Sequence, residues 1–207
     1  MLVLGVDTAL IGCSACLVKD GDVVAFKMDE RPSKQAEMLV PMVEEMLAEA
    51  GVSYADVDLF ASSIGPGSFT GLRIGITAVK GFSLVTEKQS VGVTTLQALA
   101  LQAGFEVNIT SVINAGRGQF YVQNFDADMK PTSEAILVDY RNLADNVASG
   151  AVVISNDYDL VKEHFAGQLL EGDNFPTARE VAILATRDSS LPAEPLYIRA
   201  PDAKKSC

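Results

Sequence analysis

Apolar residues gather in three short runs near the start of the chain, at 2–8, 13–19 and 22–28, each of strand length. Gly12 separates the first run from the second, and the stretch from Lys19 to Asp22 has the composition of a tight hairpin turn. The pattern predicts a three-stranded meander. The spacing then changes. Met38, Leu39, Met42, Val43, Met46 and Leu47 recur at the helical period, while Glu44, Glu45 and Glu49 face away from them. Pro32 and Ser33 stand at the entrance and Gly51 at the exit, so a helix is predicted over 34–50, kinked or tightened at Pro41. A strand in "VDLFASSIG", the glycine-rich "GPGSFTGLRIG", a helix over 70–86, a strand in "SVGVTT" and a helix in "LQALALQAG" follow.

Near residue 107 the order restarts. "NITSVINAG", "GQFYVQNFD" and "EAILVD" read as strands with turns between them, followed by a helix at 141–149, a strand at 151–155 and a helix at 158–165. The chain therefore reads as a duplicated α/β unit. Residues 1–105 form a first subdomain and 106–207 a second, and a last helix at 177–187 packs back on the first. The Pro-containing tail from Leu191 is predicted to be extended.

"GPGSFTGLRIG" admits two readings. A glycine-rich turn between a strand and a helix offers backbone N–H groups to phosphate. The spacing, however, matches neither common nucleotide loop: Leu72 follows Gly71 where a P-loop needs Lys, and Thr70 stands where the dinucleotide fingerprint needs Gly. In the second reading, Gly71, Gly75, Ala78 and Gly81 form a small-residue face that lets a neighbour approach closely. Leu72, Ile74, Ile76, Thr77, Val79, Phe82 and Val85 make that helix apolar nearly all round. With the methionine stripe of 34–50 this gives two apolar helices, either core or an exposed patch kept for a partner.

Charge removes one class of partner. The net charge is −11 and the pI about 4.5, with the Lys and Arg residues scattered, so direct binding of a polyanion is disfavoured. A hydrophobic fraction of 48% and a mean hydropathy of +0.21 indicate a packed globular protein. The first residues lack the basic region of a signal peptide and no run reaches membrane-spanning length, so a cytoplasmic protein with no membrane contact is expected.

Candidate chemistry is sparse. Cys13 and Cys16 form a C-x-x-C on a predicted strand, where residues three apart point to opposite faces, and buried thiols are the better reading. A zinc site would have to recruit His164 and Cys207. His164, the single histidine, ends a short predicted helix, where a surface role beside the helix C-terminus is expected. No G-x-S-x-G elbow is present to support a serine triad. Asp157 is a further acid of note, and Asp7 ends the first strand, a place where α/β proteins set ligand-facing groups. A turn or cap with Thr8 is the alternative role for Asp7.

"GPGSFTGLRIG", together with "LGVDTAL", "VGVTTLQALA" and "PLYIRAP", resembles the TsaB (YeaZ) family over nearly the whole chain. The resemblance implies the actin/sugar-kinase/Hsp70-like (RNase H-like) fold, two related subdomains with mixed sheets. It implies an activating scaffold, not a catalyst, in the formation of threonylcarbamoyladenosine in tRNA. The partner is the TsaD enzyme, a paralogue that carries a histidine pair for metal, where this chain has Lys34 and Glu37. Docking on TsaD, or on a second copy when alone, is implied to run through helices 34–50 and 70–86. Leu39, Met42, Val43, Met46, Gly71, Ile74, Gly75, Ala78 and Phe82 are the candidate contacts. TsaE is the expected third component, and tRNA is reached only through TsaD.

Relatives in the wider fold hold ATP through an Asp-x-Gly hairpin. Here Asp7 is followed by Thr8 and Ala9, so the loop is degraded, and ATP is expected, if anywhere, at the junction of the complex. Gly116 stands where the family has arginine, with Arg117 one place later. The competing readings are a weak ATP-binding protein or ATPase of the actin-like class, and a peptidase.

Overall fold

A computed structural model describes residues 1–31, 33–104, 106–165, 168–172, 174–187 and 191–198. Pro32, Cys207 and the end of the tail lie outside them. Strands β1 (Leu2–Asp7), β2 (Cys13–Lys19) and β3 (Asp22–Asp29) form the predicted meander. Asp20 and Gly21 both take positive φ in the turn between β2 and β3, which suits a tight hairpin. Helix α1 (Gln35–Ala50) runs on through Pro41 and ends on Gly51 in the left-handed conformation. Strand β4 (Leu59–Gly65), helix α2 (Phe69–Thr86), strand β5 (Gln89–Thr94) and helix α3 (Thr95–Leu101) complete the first repeat.

Parallel pairing of β1 with β4 and of β4 with β5 extends the meander into one mixed sheet. The short strand β10 (Leu191–Pro192) closes its far edge, giving the order β10-β5-β4-β1-β2-β3. The second repeat builds β6 (Ile109–Gly116), β7 (Gln119–Phe125), β8 (Ile136–Asp139) and β9 (Val152–Ser155) into the order β8-β7-β6-β9. It too is a meander plus one parallel strand, so β8-β7-β6-β9 matches β3-β2-β1-β4.

Two helices that the spacing predicts shrink in the structure. Residues 141–149 form two single 3-10 turns, Tyr140–Asn142 and Ala144–Asn146. Asn146 donates its side-chain amide to the Asn142 carbonyl, the local competition by which Asn, Asp and Ser divert backbone from a helix. The helix expected at 158–165 is one turn, α4 (Tyr158–Val161). The last helix, α5 (Ala178–Ala185), is opened by a reciprocal Thr177–Glu180 capping box. It lies across β1, β2 and β4 of the first sheet.

That sheet is covered on both sides. Ala178, Val181, Ala182 and Ala185 of α5 and Leu96 and Leu99 of α3 join Val3, Cys16 and Val18 on one face. On the other, α1 and α2 cover Leu4, Val6, Leu17 and Phe60. Cys13 falls in the second core and Cys16 in the first, so the two thiols point apart and cannot chelate one ion. Burial pushes the Cys13 thiol up to about 11 and the Cys16 thiol up to about 12. His164 departs from expectation. Its ring packs edge-on against Tyr140 at 4.3 Å, with Nε2 buried and without a hydrogen-bond partner. Among the described residues, no helix is long and apolar enough to cross a membrane.

Candidate functional site

The glycine motif folds onto its own chain. Beyond a cis Gly65–Pro66 peptide, Ser68 caps α2 by accepting from the Gly71 N–H at 3.2 Å. The Ser68 N–H donates to the Ala9 carbonyl at 2.8 Å, and the Thr8 hydroxyl donates to the Gly71 carbonyl at 2.7 Å. A Cβ on Gly71 would stand 2.1 Å from the Thr8 carbonyl oxygen, and one on Gly75 would stand 2.6 Å from Thr8 Oγ1. Only glycine admits this approach. Gly71 and Gly75 therefore face the loop after β1, not a partner, which corrects their assignment as docking contacts. The reason is geometric: the small-residue face meets a backbone more than sixty positions upstream.

Asp7 lies beneath this closure, 1% exposed. One carboxylate oxygen accepts from the Ala9 N–H at 3.3 Å, and Oδ2 is buried without a hydrogen-bond partner. Burial pushes the carboxyl up to about 6. The neighbouring Ser63 hydroxyl and the Ala9 N–H hold it back, and the Glu180 carboxylate adds to the rise. Asp7 is thus buried in the turn that follows β1 and bonded to the backbone of that turn. Asp157 caps α4 and accepts from the Asn114 side-chain amide at 2.7 Å. Gly116, Arg117 and Gly118 all take positive φ in the β6–β7 turn.

Where the ends of β1, β4, β6 and β9 converge there is a cleft of about 800 Å³, bordered by Leu10, Phe69, Tyr121, Asn156, Phe175 and Tyr197. Among the described residues it has no Lys or Arg for a phosphate chain and no carboxylate for a metal that would accompany one. The residues present do not fit a nucleoside triphosphate.

The helix pair carries the second correction. Leu39, Met42, Val43 and Met46 are buried against the sheet. A sheet face with Leu4, Val6, Leu17 and Phe60 must be covered, and the methionine stripe covers it. Ile74, Ala78 and Phe82 are half-buried along the seam between α1 and α2, with the Phe82 ring tilted against that of Tyr54 at 4.7 Å. What faces outward is a groove of about 540 Å³ between the two helices, bordered by Ala36, Val40, Phe69, Arg73, Ile74 and Thr77. Val40 is 39% and Phe69 45% exposed. The Arg73 guanidinium lies 3.8 Å over the Phe69 ring, and Tyr197, stacked on that ring at 5.6 Å, shares its hydroxyl with Arg73 Nε at 3.3 Å. Val40, Phe69, Arg73 and Thr77 are absent from the sequence-based contact set. One turn away from the buried stripe, the pattern of Ala36, Val40 and Glu44 at every fourth position marks the outward edge.

Two half-units, each a meander plus a parallel strand, set face to face around a cleft, define the actin, sugar-kinase and Hsp70-like class of α/β protein. The activator of the 2-hydroxyisocaproyl-CoA dehydratase from Clostridium difficile shares this fold at a TM-score of 0.52, with 10% identity over 89% of this chain and 94% of that one. YeaZ from Pseudomonas aeruginosa is much nearer, at a TM-score of 0.79 and 25% identity over 95% of this chain and 99% of that one. The family model described as "TsaD: tRNA N6-adenosine threonylcarbamoyltransferase" matches residues 32–167. The tRNA threonylcarbamoyladenosine biosynthesis protein TsaB of Escherichia coli (strain K12) is 37% identical over 131 residues. Those residues are 62% of this chain and 56% of that protein, so the match spans a little over half of the relative's length. The uncharacterized protein Rv3421c of Mycobacterium tuberculosis is 30% identical over 209 residues, 98% of this chain and 93% of the other. The chain belongs to the TsaB (YeaZ) family.

Proposed function

We propose that this chain is a non-catalytic, activating subunit of the machinery that makes threonylcarbamoyladenosine in tRNA, and that it docks on a TsaD enzyme through the outward face of α1 and α2. The observation that carries the reading is the uncovered groove holding Val40 and Phe69, an apolar seam on a strongly acidic surface. In the absence of TsaD the same face pairs with a second copy. TsaE joins the assembly in the cytoplasm, and the tRNA is held by the enzyme, which suits a subunit of net charge −11. The enzymatic alternatives draw little from the geometry. Asp7 is closed off beneath its own loop, the cleft carries no phosphate-binding charge, and the single histidine is packed on Tyr140.

Val40→Glu tests the proposal. Val40 is partly in water, so the variant folds, and circular dichroism checks that it does. Sedimentation of wild type and variant, alone and mixed with the TsaD enzyme of the same organism, then reads association. Seating an unpaired carboxylate in a desolvated contact costs roughly 2–5 kcal/mol, so pairing falls by at least about thirtyfold. Undiminished pairing in the folded variant would move the interface off this face.

A further inference from the structure

Beyond β10 the chain forms a strap along α2. Ala193 is buried in the core beneath the helix pair, and residues 194–198 then run beside α2 in the opposite direction. Glu194 lies beside Lys80 at 3.8 Å, Leu196 packs with Leu72 and Ile76, and Tyr197 reaches Phe69 and Arg73. Leu196 is firmly seated. Its N–H donates to the Ile64 carbonyl at 2.8 Å, and its own carbonyl oxygen lies 2.7 Å from where a Cβ on Gly65 would stand. Tyr197 is held more lightly. Its ring stacks on Phe69 at 5.6 Å, and its hydroxyl accepts from Arg73 Nε at 3.3 Å, long for a bond from a charged donor. The exposed Lys80–Glu194 pair adds little to its hold.

Tyr197 belongs to two places at once. Its partners Phe69 and Arg73 border the α1–α2 groove. On its other side Leu196, Tyr197 and Ile198 wall both the cleft of about 800 Å³ and a second cavity of about 440 Å³, which Thr94, Gln123 and Phe125 also border. The strap is therefore the partition between two cavities. The Arg73 guanidinium meets an aromatic ring and a neutral phenol, and no carboxylate among the described residues. Desolvated in a contact, that charge needs an anion. A carboxylate that grips a guanidinium side-on takes Nε together with a terminal nitrogen, and Nε is where the phenol sits. We infer that Tyr197 is a latch: a partner that docks on the α1–α2 face takes Arg73 and Phe69 from it, Tyr197 turns outward about Leu196, and the cleft opens into the neighbouring cavity. The inference rests on the docking face proposed above and adds what docking does to the rest of the chain. Docking and access to the cleft become one equilibrium, so a ligand that fills the joined cavities strengthens docking by the factor with which docking strengthens its own binding.

Fluorine NMR of the full chain carrying ring-fluorinated tyrosine, mixed with unlabelled TsaD, tests it. The chain has five tyrosines, and the Tyr197 signal is the one lost in Tyr197→Phe. At saturation that signal is expected to shift and to gain sensitivity to the exchange of light for heavy water, the mark of a ring released into solvent. Sedimentation reads affinity in parallel. A latch lowers apparent affinity by the fraction of chains it keeps closed, so Tyr197→Ala, at an exposed position, is expected to bind TsaD about three- to tenfold more tightly than wild type. A Tyr197 signal that does not move, or that loses solvent sensitivity, in a complex that has formed overturns the inference and keeps the docking face. Equal or weaker binding by Tyr197→Ala also overturns it, since the tyrosine would then be a bystander or a contact. Val40→Glu separates the two levels. Binding and a Tyr197 response undiminished in Val40→Glu reject the face and the latch together, and so does a wild type that forms no complex.

Discussion

Val43→Glu is expected to unfold the protein, where Val40→Glu three positions earlier leaves it folded. Val43 is 0% exposed, packed among Leu4, Val6, Leu17, Phe60 and Val79 beneath α1. A carboxylate there has no cation within the core and loses its water, and the packing of the valine goes with it. The combined cost is roughly 4 kcal/mol or more, against a total of about 5–15 kcal/mol for a domain of ordinary stability. Urea denaturation followed by circular dichroism reads the outcome directly. Wild type and Val40→Glu should have unfolding free energies within about 0.5 kcal/mol of each other, the range of an exposed substitution. Val43→Glu should show either a much lower midpoint or no folded baseline. Equal stability of Val43→Glu and wild type would mean that α1 is not seated on the sheet as described.

The contrast between these neighbours shows what the chain discloses locally and what it does not. Periodicity finds α1, α2 and the two meanders because a strand or helix that buries one face must repeat every two or every three to four residues. It does not say what lies against that face. Leu39, Met42, Val43 and Met46 satisfy the demands of a partner interface as well as those of a core. The deciding fact is the apolar side of β1, β2 and β4, which needs covering and lies far off in sequence. "GPGSFTGLRIG" is the same problem at closer range. Its glycines are legible as a device for close approach, but the object approached is the Thr8–Ala9 loop, and a hydrogen bond from Thr8 to Gly71 leaves no local trace. The resemblance to the TsaB family, by contrast, sits in contiguous residues and was open to reading. So were the thiols: strand alternation alone puts Cys13 and Cys16 on opposite faces, and they enter different cores. Residues 141–149 fail for a local reason, since the Asn146 side-chain amide donates to the Asn142 carbonyl and competes with the backbone for it.

Asp7→Asn is expected to stabilise the protein at neutral and alkaline pH and to flatten its dependence on pH. The carboxyl titrates near 3.8 in the unfolded chain and at about 6 in the folded one, raised chiefly by burial. Below 3.8 Asp7 is protonated in both states and costs nothing. Between 3.8 and 6 the folded protein keeps a proton that the unfolded chain gives up, so stability falls as pH rises through this window. Above it Asp7 is charged in both states, and the full penalty applies: the gap of about two pH units corresponds to roughly 3 kcal/mol. Asparagine removes the charge while its side-chain oxygen still accepts from the Ala9 N–H. Thermal or urea denaturation at pH 4 and pH 8 should therefore give nearly matched stabilities at the lower pH and a clear gain for the variant at the higher. Acids held low by partners remote from this site, such as Asp29 beside Arg31, titrate identically in both proteins and cancel from the difference. A variant with the slope of wild type, or one less stable than wild type at pH 8, would mean that the Asp7 charge is compensated in the folded protein.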